Sequence, residues 1–328
     1  MTSPEHPIRW RSGVLTVDDI PVPAIAEAAG TPTYVYSATA IRAAYQRLAT
    51  AFAPLGARFH YAIKASPNLH LCRLLRSLGA GMDVVSGGEM ERAWLAGVPM
   101  SDIVFAGVGK SDAEIRAALD GRFSPMRDDA ARFGAGDPAA RGPVGVLNVE
   151  SESELQSIAR LARELGVVAR LCVRVNPNVD PHTHEYTTTG KEENKFGIDA
   201  DRIVALFDAH AANRWIELAG LHIHIGSPVP KVEPYVEAIE VLFGLIDELE
   251  AHGHSIRILD LGGGWPVPYR DGEVPPIEAY AERLVPMLEP RTRRGLLVCL
   301  EPGRSLLANS AILVARVEHL KRGHAKTF

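Results

Sequence analysis

The sequence predicts a closed barrel of eight parallel β-strands with helical crossovers, a TIM-like (β/α)8 fold of the α/β class. From Arg58 onward, β-rich apolar segments alternate with amphipathic segments, as in parallel strands joined by helices. The eight strand segments favour a closed barrel over an open doubly wound sheet, which remains the alternative. The 328 residues, 46% of them hydrophobic, are enough for one large domain or two ordinary ones.

Each predicted element follows from hydrophobic periodicity and its breakers. The predicted strands are Arg58–Ala65, Met82–Ser86, Ile103–Ala106, Val144–Val149, Ala169–Asn176, Leu218–Ile225, Ile256–Leu261 and Leu296–Leu300. The predicted helices between them are Leu69–Leu78, Gly88–Ala96, Asp112–Leu119, Ser153–Leu165, Ala200–His210 and Val232–His252.

Three segments do not follow this alternation. Residues 1–36 form a lead-in with a short helix, Ile20–Ala29, and a strand, Thr33–Tyr36, before the barrel of residues 37–307. Residues 121–143 are rich in Gly, Pro, Arg and Asp without a period, which indicates a surface insertion on the amino-terminal face of the barrel. Residues 308–328 begin with a strand, Ala311–Leu320, that has no evident partner and suggests that more chain follows.

Charge and cysteine content exclude several classes of protein. A net charge of −5, from 35 basic and 40 acidic side chains, gives no reason to expect nucleic acid or an anionic membrane as partner. No apolar run reaches the roughly 18 residues of a membrane span, and the N-terminus lacks the regions of a signal peptide. Cys72, Cys172 and Cys299 are widely spaced, without a zinc motif, which is typical of reduced thiols in a cytoplasmic protein.

Lys64 is the first candidate for chemistry. In the sequence RFHYAIKAS the apolar residues alternate up to Lys64, and Pro67 then breaks the pattern, so the lysine is predicted at the carboxyl end of a buried strand. Desolvation there would lower the pKa of the amine, and a neutral amine is what an imine with a carbonyl compound requires. The alternative is a lysine that extends from the strand end into solvent.

Other polar side chains follow later strands, at the face where barrel enzymes place their active sites. Three consecutive glycines, Gly262–Gly264, would let backbone N–H groups approach an anion, although tight turns also use glycine. Glu301 and Arg304 follow the last strand and could bind a cofactor or form a surface ion pair. His224 could stack on a ring or be a core histidine, and Ser227 could bind phosphate.

One cofactor would use all of these groups. Pyridoxal 5′-phosphate (PLP) needs a lysine, a phosphate cradle, a flat partner for its ring and a group that sets the charge of its pyridine nitrogen. A carboxylate near that nitrogen keeps it protonated and favours routes through a carbanion, such as decarboxylation. The residue types therefore predict a PLP enzyme.

The motifs taken together resemble the diaminopimelate decarboxylase family, among the PLP-dependent decarboxylases of the alanine racemase fold. The matching motifs, in family order, are HYAIKAS, GMDVVSGGE, FAGVGKSDAEI, NVESESEL, RVNPNVD, TTTGKEENKFGI, GLHIHIGS, LDLGGGWP and EPGR. They extend from about Gly30 to Ala315. The resemblance implies decarboxylation of meso-2,6-diaminoheptanedioate at its D-centre, giving L-lysine and CO₂ in lysine biosynthesis.

The resemblance also implies roles for individual residues. Lys64 matches the lysine that binds PLP covalently, His224 the histidine that stacks on the ring, and Glu301 the acid that faces the pyridine nitrogen. The phosphate-side positions are Ser227, Gly262, Gly263, Gly264, Gly303 and Arg304, and the supporting polar positions are Asp83, Glu89 and Arg174. Arg304 is also expected to contact the substrate, and no metal is expected.

The family continues into a C-terminal β domain whose motifs are not found before Phe328. That domain is expected to supply a cysteine proton donor to the partner subunit of a homodimer. We therefore expect this chain to be truncated, with the lead-in strand belonging to the β domain, and to bind PLP weakly and turn over little. The alternatives are a non-catalytic PLP-binding or regulatory barrel and a decarboxylase of a related diamino acid.

Overall fold

The computed structural model describes residues 6–122, 142–181, 196–269 and 274–328. Its centre is a closed barrel of eight parallel strands. In chain order these are β1 (Arg58–Ala62), β2 (Gly81–Val84), β3 (Ile103–Phe105), β4 (Val146–Val149), β5 (Ala169–Asn176), β6 (Ile216–His222), β7 (Ile258–Asp260) and β8 (Leu297–Leu300). Each strand pairs with the next, and β8 pairs with β1, which closes the barrel. The predicted (β/α)8 class is confirmed.

Helices follow the strands, and several begin where a polar side chain caps the first turn. The described helices are Val22–Ala29, Ala38–Ala51, Leu69–Ser77, Gly87–Leu95, Asp112–Asp120, Glu152–Leu165, Ile203–His210, Glu233–Ala251, Ile277–Thr292 and Arg304–Leu307. Asn68, Ser86 and Ser151 each accept a backbone N–H from the helix that they begin. Such caps satisfy donors that the first turn would otherwise leave without a partner.

Some predicted boundaries are wrong. The first strand ends at Ala62, and Lys64 lies in a 3-10 turn, Ile63–Ala65, rather than at the strand end. Strand β6 ends at His222 rather than at residue 225. The helix Ile277–Thr292 was not predicted, because Pro286 and Pro290 interrupt the pattern on which a helix prediction depends. The central part of the predicted insertion, residues 123–141, lies outside the described residues.

The chain divides into two compact units, Tyr45–Ser305, which contains the barrel, and a second unit of residues up to Ala44 together with Leu306–Phe328. In the second unit an antiparallel hairpin joins strands Ile8–Arg11 and Val14–Val17. A separate antiparallel pair joins Thr33–Tyr36 to Ala311–Val314. The predicted strand from Ala311 thus ends at Val314 and has a partner, contrary to our expectation. The assignment of both segments to a larger β domain stays a prediction.

A buried aromatic cluster stabilises the turn after β7. Trp265 and Tyr235 stack with ring centroids 4.5 Å apart, and Tyr280 contacts both rings edge to face. The Nε1–H of Trp265 donates to the carbonyl of Gly262, and the hydroxyl of Tyr235 donates to the carbonyl of Gly263. The cluster therefore fixes the glycine turn at the carboxyl end of the barrel. No helix in the described ranges has the length and apolar character that a bilayer crossing requires.

Candidate active site

Lys64 and Asp83 form an ion pair at the carboxyl ends of β1 and β2. The ammonium nitrogen lies 2.9 Å from Oδ2 of Asp83, whose side chain is fully buried. Burial raises the pKa of Asp83 to about 7, with a further rise from Glu301 and an opposing effect of Lys64. Burial alone would lower the pKa of Lys64, but Asp83 and Glu301 outweigh it and raise that pKa. The predicted lowering is therefore wrong for the chain without its cofactor, because these carboxylates stabilise the ammonium form.

Glu301 lies at the end of β8, buried among polar side chains. Its Oε1 accepts a hydrogen bond from Nδ2 of Asn148 at 3.2 Å, and its Oε2 lies 3.5 Å from Nε2 of His222. Burial alone would raise the pKa of Glu301, but His222 and Lys64 lower it below its usual range. The neighbouring Asp260 has a raised pKa because of burial and the charge of Glu301. The geometry therefore favours an ionised carboxylate at Glu301 and a protonated, neutral carboxyl group at Asp260.

His224 and Arg174 lie at the ends of neighbouring strands. The guanidinium of Arg174 donates to Oε1 of Glu150 at 2.7 Å and to the backbone carbonyl of His224 at 3.2 Å. Burial, Lys64 and Arg174 all lower the pKa of His224, so its imidazole is neutral. A neutral imidazole can lie flat against an electron-poor ring without adding charge to it. Arg174 thus holds the backbone of His224, which carries the imidazole ring.

The three glycines after β7 form a turn whose backbone no larger residue could adopt. Gly262 and Gly264 have φ angles of 65° and 102°, in the left-handed region. A Cβ on Gly263 would lie 2.8 Å from the carbonyl of Glu301 and 3.4 Å from Nε2 of His224. The turn therefore brings the histidine, the acid and the glycine backbone together. Such a cradle suits an anion that is bound by backbone N–H groups.

Ser227 and Arg304 meet beside this cradle. The Nε–H of Arg304 donates to Oγ of Ser227 at 3.3 Å, and its Nη1 donates to the hydroxyl of Tyr269 at 2.6 Å. A guanidinium beside a hydroxyl and a glycine turn has the donors that a phosphate group needs. The alternative of an ion pair between Arg304 and Glu301 is not seen, because each has other partners.

Two other predicted positions have structural contacts. A Cβ on Gly303 would lie 3.1 Å from that of Ala62, so the glycine allows the last turn to pack closely against β1. The carboxylate of Glu89 accepts the backbone N–H of Val85 at 2.8 Å, near the start of the helix Gly87–Leu95. Its negative charge near a helix N-terminus is favourable. The role of Glu89 near a cofactor stays a prediction.

Lys110 is the next lysine along the chain after Lys64 and the first alternative for the reactive amine, but its surroundings argue against that role. Its side chain is 1% exposed and its ammonium group lies 2.6 Å from Glu154 Oε1, with further bonds to the carbonyls of Gly107 and Asn148. Lys64, by contrast, is 43% exposed and can be reached by a ligand. The other alternative, Lys195, lies outside the described residues.

The Lys110–Glu154 pair gives a prediction about stability. Lys110→Met should lower the free energy of unfolding by about 3–5 kcal/mol, because it leaves a buried carboxylate without its partner. Adding Glu154→Leu should recover part of the loss. Urea unfolding measures both effects. The exposed pair Arg202–Glu152 provides the control, and Arg202→Ala should hardly move the midpoint. Equal effects of the two single variants would contradict the prediction.

The glycine turn gives a second prediction. Gly264→Ala should weaken PLP binding about tenfold or more, because its Cβ would meet the carbonyl of Gly226 and would need a strained φ of 102°. Gly244→Ala, in the helix Glu233–Ala251 with no atom near its added Cβ, is the matched control and should stabilise the fold slightly. Fluorescence titration with PLP measures the affinity. Equal affinity for both variants would show that the turn does not bind the phosphate.

The structure brings the predicted reactive groups together. Lys64, His224 and Glu301 lie close enough that each affects the pKa of at least one of the others. An amine within reach of solvent, a neutral imidazole, an ionised carboxylate and a glycine cradle are the set that PLP requires, so the residues fit this cofactor. The fold and the site together define a barrel domain of a PLP-dependent decarboxylase.

Comparison with known proteins supports the assignment to the PLP-dependent decarboxylases. Residues 38–308 match the family described as "Pyridoxal-dependent decarboxylase, pyridoxal binding domain". Diaminopimelate decarboxylase from Pseudomonas aeruginosa is 42% identical over 326 residues, which cover 97% of this chain and 71% of that protein. The chain belongs to the diaminopimelate decarboxylase family.

Solved structures support the same assignment. Diaminopimelate decarboxylase from M. jannaschii superposes with a TM-score of 0.84 at 32% identity, covering 98% of this chain and 72% of that one. The enzyme from Helicobacter pylori, solved in complex with L-lysine, superposes with a TM-score of 0.78 at 34% identity, covering 92% and 70%. This chain thus spans about 70% of the length of these two relatives.

Sequence reasoning missed Asp260 and three residues that hold other groups of the site. Asn148 and Glu150, at the end of β4, hold Glu301 and Arg174, and Tyr269 holds Arg304. Asn148 and Glu150 could have been found, since they lie two residues apart at the end of the predicted strand Val144–Val149, and residues at that spacing point to the same side of a strand. Tyr269 lies in a loop, where no periodicity indicates which way a side chain points.

Proposed function

We propose that this protein removes the D-centre carboxylate of meso-2,6-diaminoheptanedioate and releases L-lysine and CO₂. The single observation that supports this most strongly is the convergence of Lys64, His224 and Glu301 beside the glycine turn in a member of the diaminopimelate decarboxylase family. The L-lysine in the Helicobacter pylori relative is consistent with the product of this reaction.

The residues would hold PLP as follows. Lys64 provides the amine for covalent attachment, and Asp83 holds that amine in position as its ion-pair partner. The glycine turn Gly262–Gly264 would hold the phosphate through the backbone N–H groups of Gly263 and Gly264, because that of Gly262 donates to Oδ1 of Asp260. Ser227, Gly303 and Arg304 would lie beside the phosphate. His224 lies against the ring. Arg304 has a second role in contacting the substrate.

When bound, PLP supplies an electron sink for the pair that remains on carbon after the bond to CO₂ breaks. Glu301 strengthens that sink, because its ionised carboxylate keeps a proton on the pyridine nitrogen. Asn148 and His222 hold the carboxylate in place. A proton must then replace the lost carboxylate on the carbon. We assign its donor to the cysteine of the family's C-terminal domain, supplied by the partner subunit.

The experiment is a comparison of stereoisomers. With PLP added, CO₂ release from the meso isomer should exceed release from the LL isomer, L-lysine or L-ornithine by at least about 100-fold. The LL isomer is the matched control, since it has the same groups but no D-centre. If turnover is slow, the change in absorbance of bound PLP on adding each compound gives the same ranking. Preference for L-lysine or L-ornithine would overturn the assignment.

The family resemblance also supports a homodimer in the cytoplasm as the working form of the full-length protein. Light scattering of that full-length form tests the dimer, and a monomer at all concentrations would count against it.

A further inference from the structure

A small cavity opens at the amino-terminal ends of the barrel strands, opposite the candidate active site. Its lining includes the first residues of five strands, which are Arg58, Ile103, Val146, Ile258 and Leu297. Its volume is about 60 Å³. Since one water needs only about 10–15 Å³ on this scale, the cavity has room for an ion together with a water molecule.

Three metal-binding side chains of different types line this cavity. Asp260 on β7 lies opposite Cys299 on β8 in the strand register. Cys299 in turn pairs with Arg58 on β1, two residues before His60. Because neighbouring strands lie about 4.8 Å apart and alternate residues share a face, the three side chains converge. One ligand atom from each lies within 4.8 Å of the other two.

These three residues are buried, and one has an unsatisfied atom. His60 is 7% exposed, Asp260 2% and Cys299 4%. In the described part of the chain, Nδ1 of His60 is buried and has no hydrogen-bond partner. A buried polar atom without a partner is energetically costly, so its presence here points to a ligand. Cys299 is a free thiol rather than part of a disulfide.

Charge balance favours a divalent cation. Zn²⁺ or a similar dication would displace the protons of the Cys299 thiol and the Asp260 carboxyl group. A dication with the resulting thiolate and carboxylate has no net charge, which removes most of the cost of burying each charge alone. Arg58 and Arg170 also line the cavity and oppose a cation. Both are exposed, and Arg170 forms an ion pair with Glu217, so water and this partner weaken their effect.

The donor types select the metal. Mg²⁺ and Ca²⁺ prefer oxygen ligands, whereas a set of sulfur, nitrogen and oxygen suits Zn²⁺. Ligand atoms around tetrahedral zinc are separated by roughly 3.5 Å, so a shift of about 1 Å would complete the geometry. We propose that His60, Asp260 and Cys299 bind a zinc ion, with a water molecule in the cavity as the fourth ligand.

A second possible cluster shares Asp260 but carries no such proposal. His222, Asp260 and Glu301 also place ligand atoms within 4.8 Å of one another. That group belongs to the candidate active site, where Glu301 is already assigned to the cofactor. The proposed zinc site lies nearer the amino-terminal ends of the barrel strands, and it does not depend on the proposed reaction.

The test is zinc binding by the purified full chain without PLP. After removal of metal with a chelator, titration with Zn²⁺ against a chromophoric competitor should give one site per chain. Co²⁺ in its place should give the absorption bands of thiolate coordination. Cys299→Ser and His60→Ala should each weaken zinc binding by at least about tenfold. Zn²⁺ should also raise the thermal midpoint of the unsubstituted chain but not of these variants.

Two controls separate this site from others. Cys172→Ser removes a thiol that lines the same cavity but is not a proposed ligand, and it should bind zinc normally. The double variant His252→Ala/His254→Ala removes a surface pair of histidines around Asp208, which could bind zinc adventitiously. No zinc binding by the unsubstituted chain, or binding that is lost only in this double variant, would overturn the proposal. Circular dichroism confirms that each variant is folded.

Discussion

Lys64→Ala is expected to abolish covalent binding of PLP and to reduce CO₂ release by roughly 10⁴-fold or more, because the amine of Lys64 is the one that Asp83 holds in the site. Lys110, the nearest alternative by sequence, is fixed in a buried ion pair with Glu154. The measurement is borohydride reduction of the PLP-treated chain followed by peptide mass spectrometry. The unsubstituted chain should carry the label on the peptide that contains Lys64, and the variant should carry none.

The control for this experiment removes a different lysine. Lys321 is exposed in the second unit, so Lys321→Ala should retain the label and the absorbance of bound PLP. If the Lys64→Ala chain carried as much label as the unsubstituted chain, PLP would be attached to another lysine. Lys195 would then be the first position to test. This readout is independent of turnover, and it therefore applies even if the chain is a poor catalyst.

Glu301→Gln should lower kcat by about 10²–10³-fold with a much smaller change in KM. The amide keeps the size of the carboxylate but loses its charge, so a proton on the pyridine nitrogen is no longer stabilised. Substrate binding depends on other groups, among them Arg304. Steady-state CO₂ release measures the two constants, and the absorption spectrum of bound PLP should shift in the same variant.

Glu250→Gln is a matched control, since it makes the same substitution at an exposed helix position and should leave both constants unchanged. Glu301→Asp should recover part of the activity, because it restores the charge at a greater distance. If Glu301→Gln kept full kcat, the carboxylate would not be the group that sets the charge of the ring.

The fold was predictable from the sequence because a parallel barrel gives a strong repeated pattern. All eight strands could be placed, since strands buried on both faces are almost continuously apolar. The residues at which the strands and helices end were less predictable. Lys64 lies in a 3-10 turn, whose tighter winding has no hydrophobic signature. The helix Ile277–Thr292 was missed because its two prolines mimic breakers, although the surrounding barrel stabilises it.

The candidate site was predictable in its residue types and less so in its electrostatics. Polar side chains at strand ends, such as Asp83 and Glu301, could be expected to meet because barrel geometry gathers the strand ends at one face. The protonation states of these side chains could not be predicted, because they depend on distances between pairs of groups, which the sequence pattern does not contain. The pKa of Lys64 was expected to fall and instead rises, since Asp83 and Glu301, at the ends of the two strands that flank β1 in the barrel, outweigh burial.

The antiparallel pair between Thr33–Tyr36 and Ala311–Val314 has a consequence for biosynthesis. A ribosome releases the first of these strands early, but its partner emerges only after the entire barrel has been translated. During that interval Tyr34 and its neighbours have unsatisfied backbone groups that can pair with other nascent chains. Slow translation or heat during expression should therefore favour aggregation through this strand, while the barrel itself can already fold.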